Sequence, residues 1–264
     1  MDFYNKSVPL PQPTSPGLRF WHLPVDGSRH GPALDGHLLL NLWIVLGLLA
    51  LMHVILFAGL LFRRRATQPI HKWTLEYLPL LALTALFAWL GLRAQHLWAA
   101  QRYTGADRSA MQVEVTGMQF IWYFRYPGHD RAFGHTSLAL VDPAAANPVG
   151  LDPKDPYGKD DLVLSELVLP AGREVDLTLR AQDVIHGFAV PQMRLKQNAV
   201  PGTESHIHFT PEIPGTYAIL CNQVCGGGHF RMHAILRVMT AAAFDTWLAQ
   251  REATKVASLA AEHP

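Results

Sequence analysis

The sequence has few cysteines and few charges, and both shortages narrow the classes of protein that it can encode. Two cysteines among 264 residues are too few for a disulfide-rich scaffold. Charged residues make up only 16% of the chain, and the formal net charge is +1. So neutral a balance excludes binding to nucleic acid that is driven by phosphate neutralisation. There is also no internal repeat, no glycine-rich phosphate loop and no Cys-x-x-Cys-His haem-attachment motif.

Apolar residues make up 49% of the chain and are concentrated in two long runs. The first run comprises residues 38–62 and contains no charged side chain. At about 1.5 Å per residue, such a helix covers the roughly 30 Å hydrocarbon core of a bilayer. A second run extends from Leu75 to Leu92. Together they predict a transmembrane helix hairpin over residues 36–100.

The segment between the two runs is basic, with Arg63 to Arg65 followed by His71 and Lys72. Short basic loops lie on the cytoplasmic side of a membrane, so both chain ends are predicted on the outer side. Residues 1–35 are rich in proline and carry no apolar run, which predicts an extended outer arm.

Two polar residues of the apolar runs can carry a charge. His53 falls in the middle of the first run, and Glu76 lies near the start of the second. Ionisable groups inside a membrane are functional candidates by default. Each of them could equally hydrogen-bond a neighbouring helix or reach the membrane surface.

From Met111 onward, polar and apolar residues alternate in short segments separated by Pro-Gly and similar turns. This pattern predicts an all-β sandwich or barrel over residues 111–240. Residues 142–161 are rich in Pro, Gly, Asp and Lys and predict an exposed loop, and residues 241–264 predict a closing helix and tail. Strands are predicted at residues 112–116, 174–180, 205–209, 217–220 and 233–239.

The segment CNQVCGGGHFRM, residues 221–232, concentrates metal-ligating side chains. Cys221, Cys225, His229 and Met232 supply two thiols, an imidazole and a thioether, and soft sulfur ligands suit copper. The three glycines allow the backbone to fold tightly around a buried centre. His186 ends an upstream strand pattern between apolar residues and offers a second imidazole.

Three kinds of site compete for these residues. A disulfide between Cys221 and Cys225 is permitted on the outer side of a membrane, but it leaves His186, His229 and Met232 unexplained. A tetrahedral zinc site with two cysteines and two histidines is chemically possible, but it has no need of Met232. A dinuclear copper centre with both thiolates shared between the metals uses all five side chains. Its filled ligand shell suits electron transfer and leaves no position for a substrate.

The spacing of the segment resembles the CuA motif of subunit II of haem-copper cytochrome c oxidases: Cys, three residues, Cys, three residues, His, two residues and Met. The loop around His186, VIHGFAVP, resembles the first-histidine region of that family. The stretch GMQFIWYFRYP, residues 117–127, resembles its aromatic strand. The resemblance covers about residues 36–245.

The resemblance implies a fold and a function. The fold would be membrane α + β, a two-helix hairpin followed by a cupredoxin-like β-barrel, in a bacterial plasma membrane or mitochondrial inner membrane. The copper domain would face the periplasmic or outer side. His186, Cys221, Cys225, His229 and Met232 would bind the metals through side chains, and Gln223 through its main-chain oxygen.

The family's function would make this chain an electron-accepting subunit. It would take electrons from cytochrome c, or another small donor, and pass them to the haems of subunit I. There dioxygen is reduced to water with proton pumping. Subunit I, which carries the haems and the oxygen-reducing copper, and subunit III would be its partners.

Three positions depart from the family pattern. Gln223 stands where most members have a glutamate that helps to hold magnesium, and a neutral amide is a poorer ligand for this hard cation. Phe120 replaces the tryptophan through which electrons enter, so Phe120 and Trp122 are both candidates. Glu76 is the acidic residue nearest to the family's proton-path glutamate.

Two alternatives of different classes remain open on the sequence. The copper subunit of a nitric oxide reductase would carry a similar relay, and this chain alone does not separate the two. A copper-delivery protein would need an exchangeable site, which a complete ligand set disfavours. Residues 111–239 contain 13 acidic and 10 basic side chains, a weak acidic excess that could steer a basic donor. Most of these acidic residues, Asp161 and Asp183 among them, are predicted to be solvated.

Overall fold

The computed structural model describes residues 23–62 and 72–262. They divide into a helical unit, residues 32–104, and a β-rich unit that contains the residues from Gly105 onward and the segment up to Gly31. The basic segment from Arg63 to His71 and residues 1–22 of the predicted arm lie outside the described residues.

Two long helices form the helical unit. Helix α1 is Gly31–Leu61 and helix α2 is Lys72–Arg102. Both are long and apolar enough to cross a membrane, as predicted. Helix α1 includes residues 31–35, which the sequence analysis assigns to the extended arm. The Ser28 hydroxyl accepts the N–H of Gly31 at 3.2 Å, which satisfies a donor that the helix start leaves free.

The two polar candidates of the apolar runs lie on these helices. His53 is exposed on α1, and its Nδ1 lies 2.8 Å from the main-chain oxygen of Leu49, one turn earlier. That contact lies within α1 itself, so it is neither a bond to a neighbouring helix nor a contact with the membrane surface. Glu76 is exposed in the second turn of α2.

The segment before α1 pairs with the β-rich unit. The N–H of Gly27 donates to the oxygen of Gln192 at 2.8 Å, and the N–H of Arg29 to the oxygen of Thr210 at 3.0 Å. Glu212 returns a bond from its N–H to Gly27 at 2.7 Å. Residues 27–29 are therefore fixed to the β domain by main-chain hydrogen bonds.

In the described part of the chain, ten strands form two five-stranded sheets. The first sheet has the order β3-β2-β1-β5-β8 and the second β4-β10-β9-β6-β7. The strands are β1 Met111–Met118, β2 Ile121–Tyr126, β3 Leu162–Leu164, β4 Leu167–Pro170, β5 Val175–Ala181, β6 His186–Val190, β7 Leu195–Ala199, β8 Ser205–Phe209, β9 Gly215–Cys221 and β10 His233–Met239. All five predicted strands are present.

The inner faces of the two sheets share one hydrophobic core. Val113 and Leu177 of the first sheet and Ile219 and Leu236 of the second belong to one cluster of buried apolar residues. Helix α3, Ala241–Glu262, adds Trp247, whose ring lies 6.0 Å from that of Tyr126. The domain is a two-sheet, cupredoxin-like β-sandwich, and the predicted fold class is confirmed.

Asp161 is buried, contrary to the prediction that it is a solvated residue of an exposed loop. Its carboxylate accepts the Nε–H of Arg125 at 2.9 Å and also contacts Nη2 of the same guanidinium. Glu114 lies 2.7 Å from Nη1. The side chains of Arg125 and Asp161 are 2% and 0% exposed, so this ion pair lies in a medium of low dielectric constant. The pattern of the loop could not reveal its partner, because Arg125 lies 36 residues earlier.

Replacing Arg125 by leucine should lower the free energy of unfolding by about 3–5 kcal/mol, because Asp161 and Glu114 lose their buried cation. The matched control is Arg237→Leu, which removes an exposed pair with Glu166. We expect that change to cost less than about 1 kcal/mol. Denaturant unfolding of the full chain in detergent measures both. Equal losses would show that the buried pair contributes no more than the exposed one.

Candidate metal centre

The second sheet brings the predicted ligands together at the end of its central strand. Strand β9 ends at Cys221 and pairs on one side with β6, where Phe188 lies opposite Cys221. On the other side it pairs with β10, and the N–H of Cys221 donates to the oxygen of Met232 at 3.1 Å. His186 begins β6, whereas the sequence pattern places it at the end of a strand. Residues far apart in the sequence thus meet through regular strand pairing.

Three other predicted ligands lie next to the Cys225 sulfur. Its sulfur lies 3.8 Å from that of Cys221, 3.8 Å from Sδ of Met232 and 3.7 Å from Nδ1 of His229. The main-chain oxygen of Gln223 lies 3.2 Å from the Cys221 sulfur. Ligand atoms of His186, Cys221 and Cys225 all lie within 4.8 Å of one another. The structure therefore gathers all six residues of the predicted site.

The two cysteines are free thiols in this structure. Their sulfur atoms are 3.8 Å apart, whereas a disulfide bond is about 2.05 Å long. Both side chains are buried, as is Met232. A pair of buried thiols held together without a bond is an arrangement that a metal ion can occupy with little rearrangement.

His186 is oriented for ligation. Its side chain is fully buried, and its Nε2 lies 2.8 Å from Oδ1 of Asp183. Its Nδ1 is buried and has no hydrogen-bond partner among the described residues. A carboxylate that holds one ring nitrogen of a histidine leaves the lone pair of the other free for a metal. The orphaned Nδ1 thus fits a metal ligand, and no solvent or protein contact accounts for it.

Acid–base properties around the thiols agree with this arrangement. Burial raises the pKa of the Cys225 thiol to about 11, and the neighbouring Cys221 adds to the rise. Burial alone would raise the pKa of the Asp183 carboxyl. Hydrogen bonds from His186 and from the main-chain N–H groups of Gln119 and Val184 outweigh it, however, and hold that pKa below its ordinary value. Cys225 is therefore protonated in the metal-free protein, and metal binding must release its proton.

Aromatic residues of the β1–β2 region cover the ligands. Trp122 is fully buried, and its ring contacts His186 and Phe188 edge-on at centroid distances of 5.8 and 5.4 Å. Phe120 is half-buried and lies against Gly226 and Gly228 of the ligand loop. Of the two candidates for electron entrance, Phe120 can touch another protein, whereas Trp122 cannot do so directly.

Sequence reasoning missed two groups that complete the site. From the sequence alone, Asp183 is one of several acidic residues predicted to be solvated, and Gln119 is one position of the stretch that resembles the aromatic strand. The position of Asp183 three residues before His186 was an available signal, since a carboxylate there can reach the imidazole. No sequence signal points to Gln119. The loop also exposes Val224 and Phe230, whose side chains are 78% and 79% accessible.

Gly228→Ala should destabilise the loop. A Cβ at this position would lie 2.4 Å from the Phe120 ring, so the ring or the loop must shift at a cost of about 1–3 kcal/mol. The control is Gly227→Ala, where a Cβ meets nothing within 4 Å. Thermal unfolding of the metal-free chain should show a lower Tm for the first variant than for the second. Identical Tm values would mean that Phe120 does not pack on the loop.

Comparison with known proteins relates the β domain to one family. Residues 111–239 match the family described as cytochrome C oxidase subunit II, periplasmic domain. The alternative cytochrome c oxidase subunit 2 of Bradyrhizobium diazoefficiens is 36% identical over 153 residues, 57% of this chain and 54% of that protein. The cytochrome c oxidase subunit 2 of Cereibacter sphaeroides is 27% identical over 260 residues, 91% of this chain and 81% of that protein.

A solved structure also matches: the periplasmic domain of subunit II of cytochrome oxidase of Bradyrhizobium japonicum. It is 23% identical with a TM-score of 0.42 and covers 57% of this chain and 99% of that one. The chain spans about half the length of the Bradyrhizobium diazoefficiens relative.

Two apolar helices followed by a cupredoxin-like domain with a buried cluster of thiols and imidazole define an integral membrane protein with a candidate metal centre. Through residues 111–239, the chain is similar to the periplasmic domain of the cytochrome c oxidase subunit II family. That family normally carries the copper centre CuA, and the cluster of His186, Cys221 and Cys225 brings together three side chains that could hold a metal ion.

Proposed function

We propose that this chain is the CuA subunit of a terminal haem-copper oxidase. It accepts electrons from cytochrome c, or from another small donor, and passes them to the haems of subunit I, where dioxygen is reduced to water with proton pumping. The observation that carries the proposal is the pair of unbonded, buried thiols 3.8 Å apart beside the free Nδ1 of His186. Subunit I, subunit III and membrane lipid are the proposed partners.

The donor set favours copper over zinc. The ligand side chains are proposed to be those of His186, Cys221, Cys225, His229 and Met232, with the main-chain oxygen of Gln223. Two thiols, two imidazoles and a thioether are soft or borderline donors, which suit copper. The thioether of Met232 lies as close to Cys225 as the second thiol does, and a zinc site with two cysteines and two histidines would have no use for it. A bound copper pair would supply one-electron transfer.

The protein contributes order and exclusion of water. Strand pairing fixes Cys221, His186 and Met232 before any metal binds, so little rearrangement accompanies a change in charge. The buried side chains keep water from the thiols. Both properties lower the reorganisation energy of each electron transfer, as an electron relay needs.

Electrons are proposed to enter beside Phe120. Its half-buried ring is accessible to a donor, and it packs on the loop that carries the ligands. Trp122 would then lie on the inner side, in contact with His186. The side chain of Gln223 is exposed and neutral, which makes it a weak magnesium ligand, so magnesium is not part of the proposal.

The purified complex with its native partners tests the copper assignment. Electron paramagnetic resonance should give a seven-line copper hyperfine pattern, and metal analysis should give two coppers for this subunit. Cys221→Ser should abolish that pattern, because only one thiolate remains to join the metals. A four-line pattern, zinc at the thiols, or a disulfide between them would contradict the proposal. The haem content of the co-purified subunit separates an oxidase from a nitric oxide reductase.

Glu76 is proposed to lie at the mouth of a proton path into subunit I. Glu76→Gln removes its titrating proton and keeps the shape of the side chain, so steady-state turnover of the assembled oxidase should fall. His53→Gln, a polar change on α1, serves as control and should retain turnover. Full activity of the Glu76→Gln variant would remove Glu76 from the path.

A further inference from the structure

Three chain segments are joined around the candidate metal centre by hydrogen bonds from residues that are not ligands. Asp183 holds Nε2 of His186 through Oδ1 at 2.8 Å. Its Oδ2 accepts the main-chain N–H of Gln119 at 2.7 Å. The side-chain amide of Gln119 in turn donates to the main-chain oxygen of Cys225 at 2.6 Å. A continuous hydrogen-bonded path thus connects an imidazole ligand to a thiol ligand.

We propose that Gln119 is a positioning residue of the metal centre. Its main-chain N–H fixes the carboxylate that orients His186, and its side-chain amide fixes the peptide group of Cys225. One residue outside the ligand set thereby sets the relative position of two ligands from different segments. Its role toward copper rests on the proposed function, whereas its role in ordering the loop does not.

The ligand loop needs such a restraint at Cys225. Strand pairing extends to Asn222, whose N–H donates to the oxygen of Gly187 at 2.9 Å. Cys225 lies three residues beyond that bond, and most residues between Asn222 and Gly227 are exposed. The following run of three glycines has the largest conformational freedom of any tripeptide. The Gln119 amide therefore acts where the sheet no longer holds the loop.

The loop is shaped to receive Gln119. Gly226 has φ +137, a conformation that side chains rarely adopt, and a Cβ there would lie 2.8 Å from Nε2 of Gln119. The absence of a side chain at Gly226 thus leaves room for the amide. The next residue, Phe120, is seated on Gly228 in the same way. Two consecutive residues of the β1–β2 turn are matched by two glycines of the loop.

The metal-free full chain gives a test that does not depend on copper. Gln119→Leu keeps the main-chain bond to Asp183 and removes the amide donor, so amide hydrogen exchange of residues 222–229 should become about tenfold faster. That factor corresponds to about 1.4 kcal/mol, the upper part of the range for one hydrogen bond. Gln112→Leu is the matched control, since Gln112 also donates its amide to a main-chain oxygen, that of Ala110. Exchange in the loop should not change in this control.

The copper-loaded full chain gives the second readout. With copper stoichiometry unchanged, Gln119→Leu should alter the copper hyperfine splitting and speed copper loss to a chelator about tenfold. Gln112→Leu should match the unsubstituted chain in both. Gln119→Asn retains an amide that is one methylene too short to reach Cys225, so it should behave like the leucine variant and serves if that variant does not fold.

The outcomes separate the two proposals. Unchanged loop exchange and unchanged copper loss in both Gln119 variants would overturn the positioning role, whatever metal the site binds. An unsubstituted chain that shows no paired-copper spectrum would overturn the proposed function. The exchange measurement would then still decide the role of Gln119.

Discussion

The pairing of β9 with a strand on each side is the constraint on which the candidate metal centre depends. Because β9 ends at Cys221 between β6 and β10, the same hydrogen-bond ladder brings the first histidine from one side and the methionine from the other. A shift of one residue in either register would turn alternate side chains to the opposite face. The hydrophobic core fixes both registers, since Phe188 and Leu236 are buried in it. The same strand registers are therefore needed both to pack the core and to place the candidate ligands.

Much of the candidate site could be predicted because its sulfur and imidazole side chains stand out by type and spacing. Cys221, Cys225, His229 and Met232 lie within 12 residues, and only a few chemistries use that set. His186 could be added because its apolar surroundings are unusual for a free histidine. The strands in which polar and apolar residues alternate could be predicted from that alternation. Strand β2, with its continuous run of large residues, follows no period of two, and only the family resemblance indicated it.

The supporting groups could not be predicted, because their roles arise from contacts across the fold. Gln119 is an ordinary polar residue in the sequence, and it becomes significant only where β1 turns back toward the ligand loop. Asp161 stands in a stretch whose composition indicates solvent exposure, yet Arg125 draws it into the interior. Polar residues with distant partners share this property. Pattern arguments describe the average environment of a segment, whereas a single ion pair depends on one distant residue.

The two exposed side chains of the ligand loop have a consequence for the solubility of the chain. Val224 and Phe230 present apolar surface to water on either side of the glycines, and neither is buried in the hydrophobic core. Exposed apolar side chains favour self-association when no other surface covers them. A polar side chain at either position would therefore make the loop less prone to self-association.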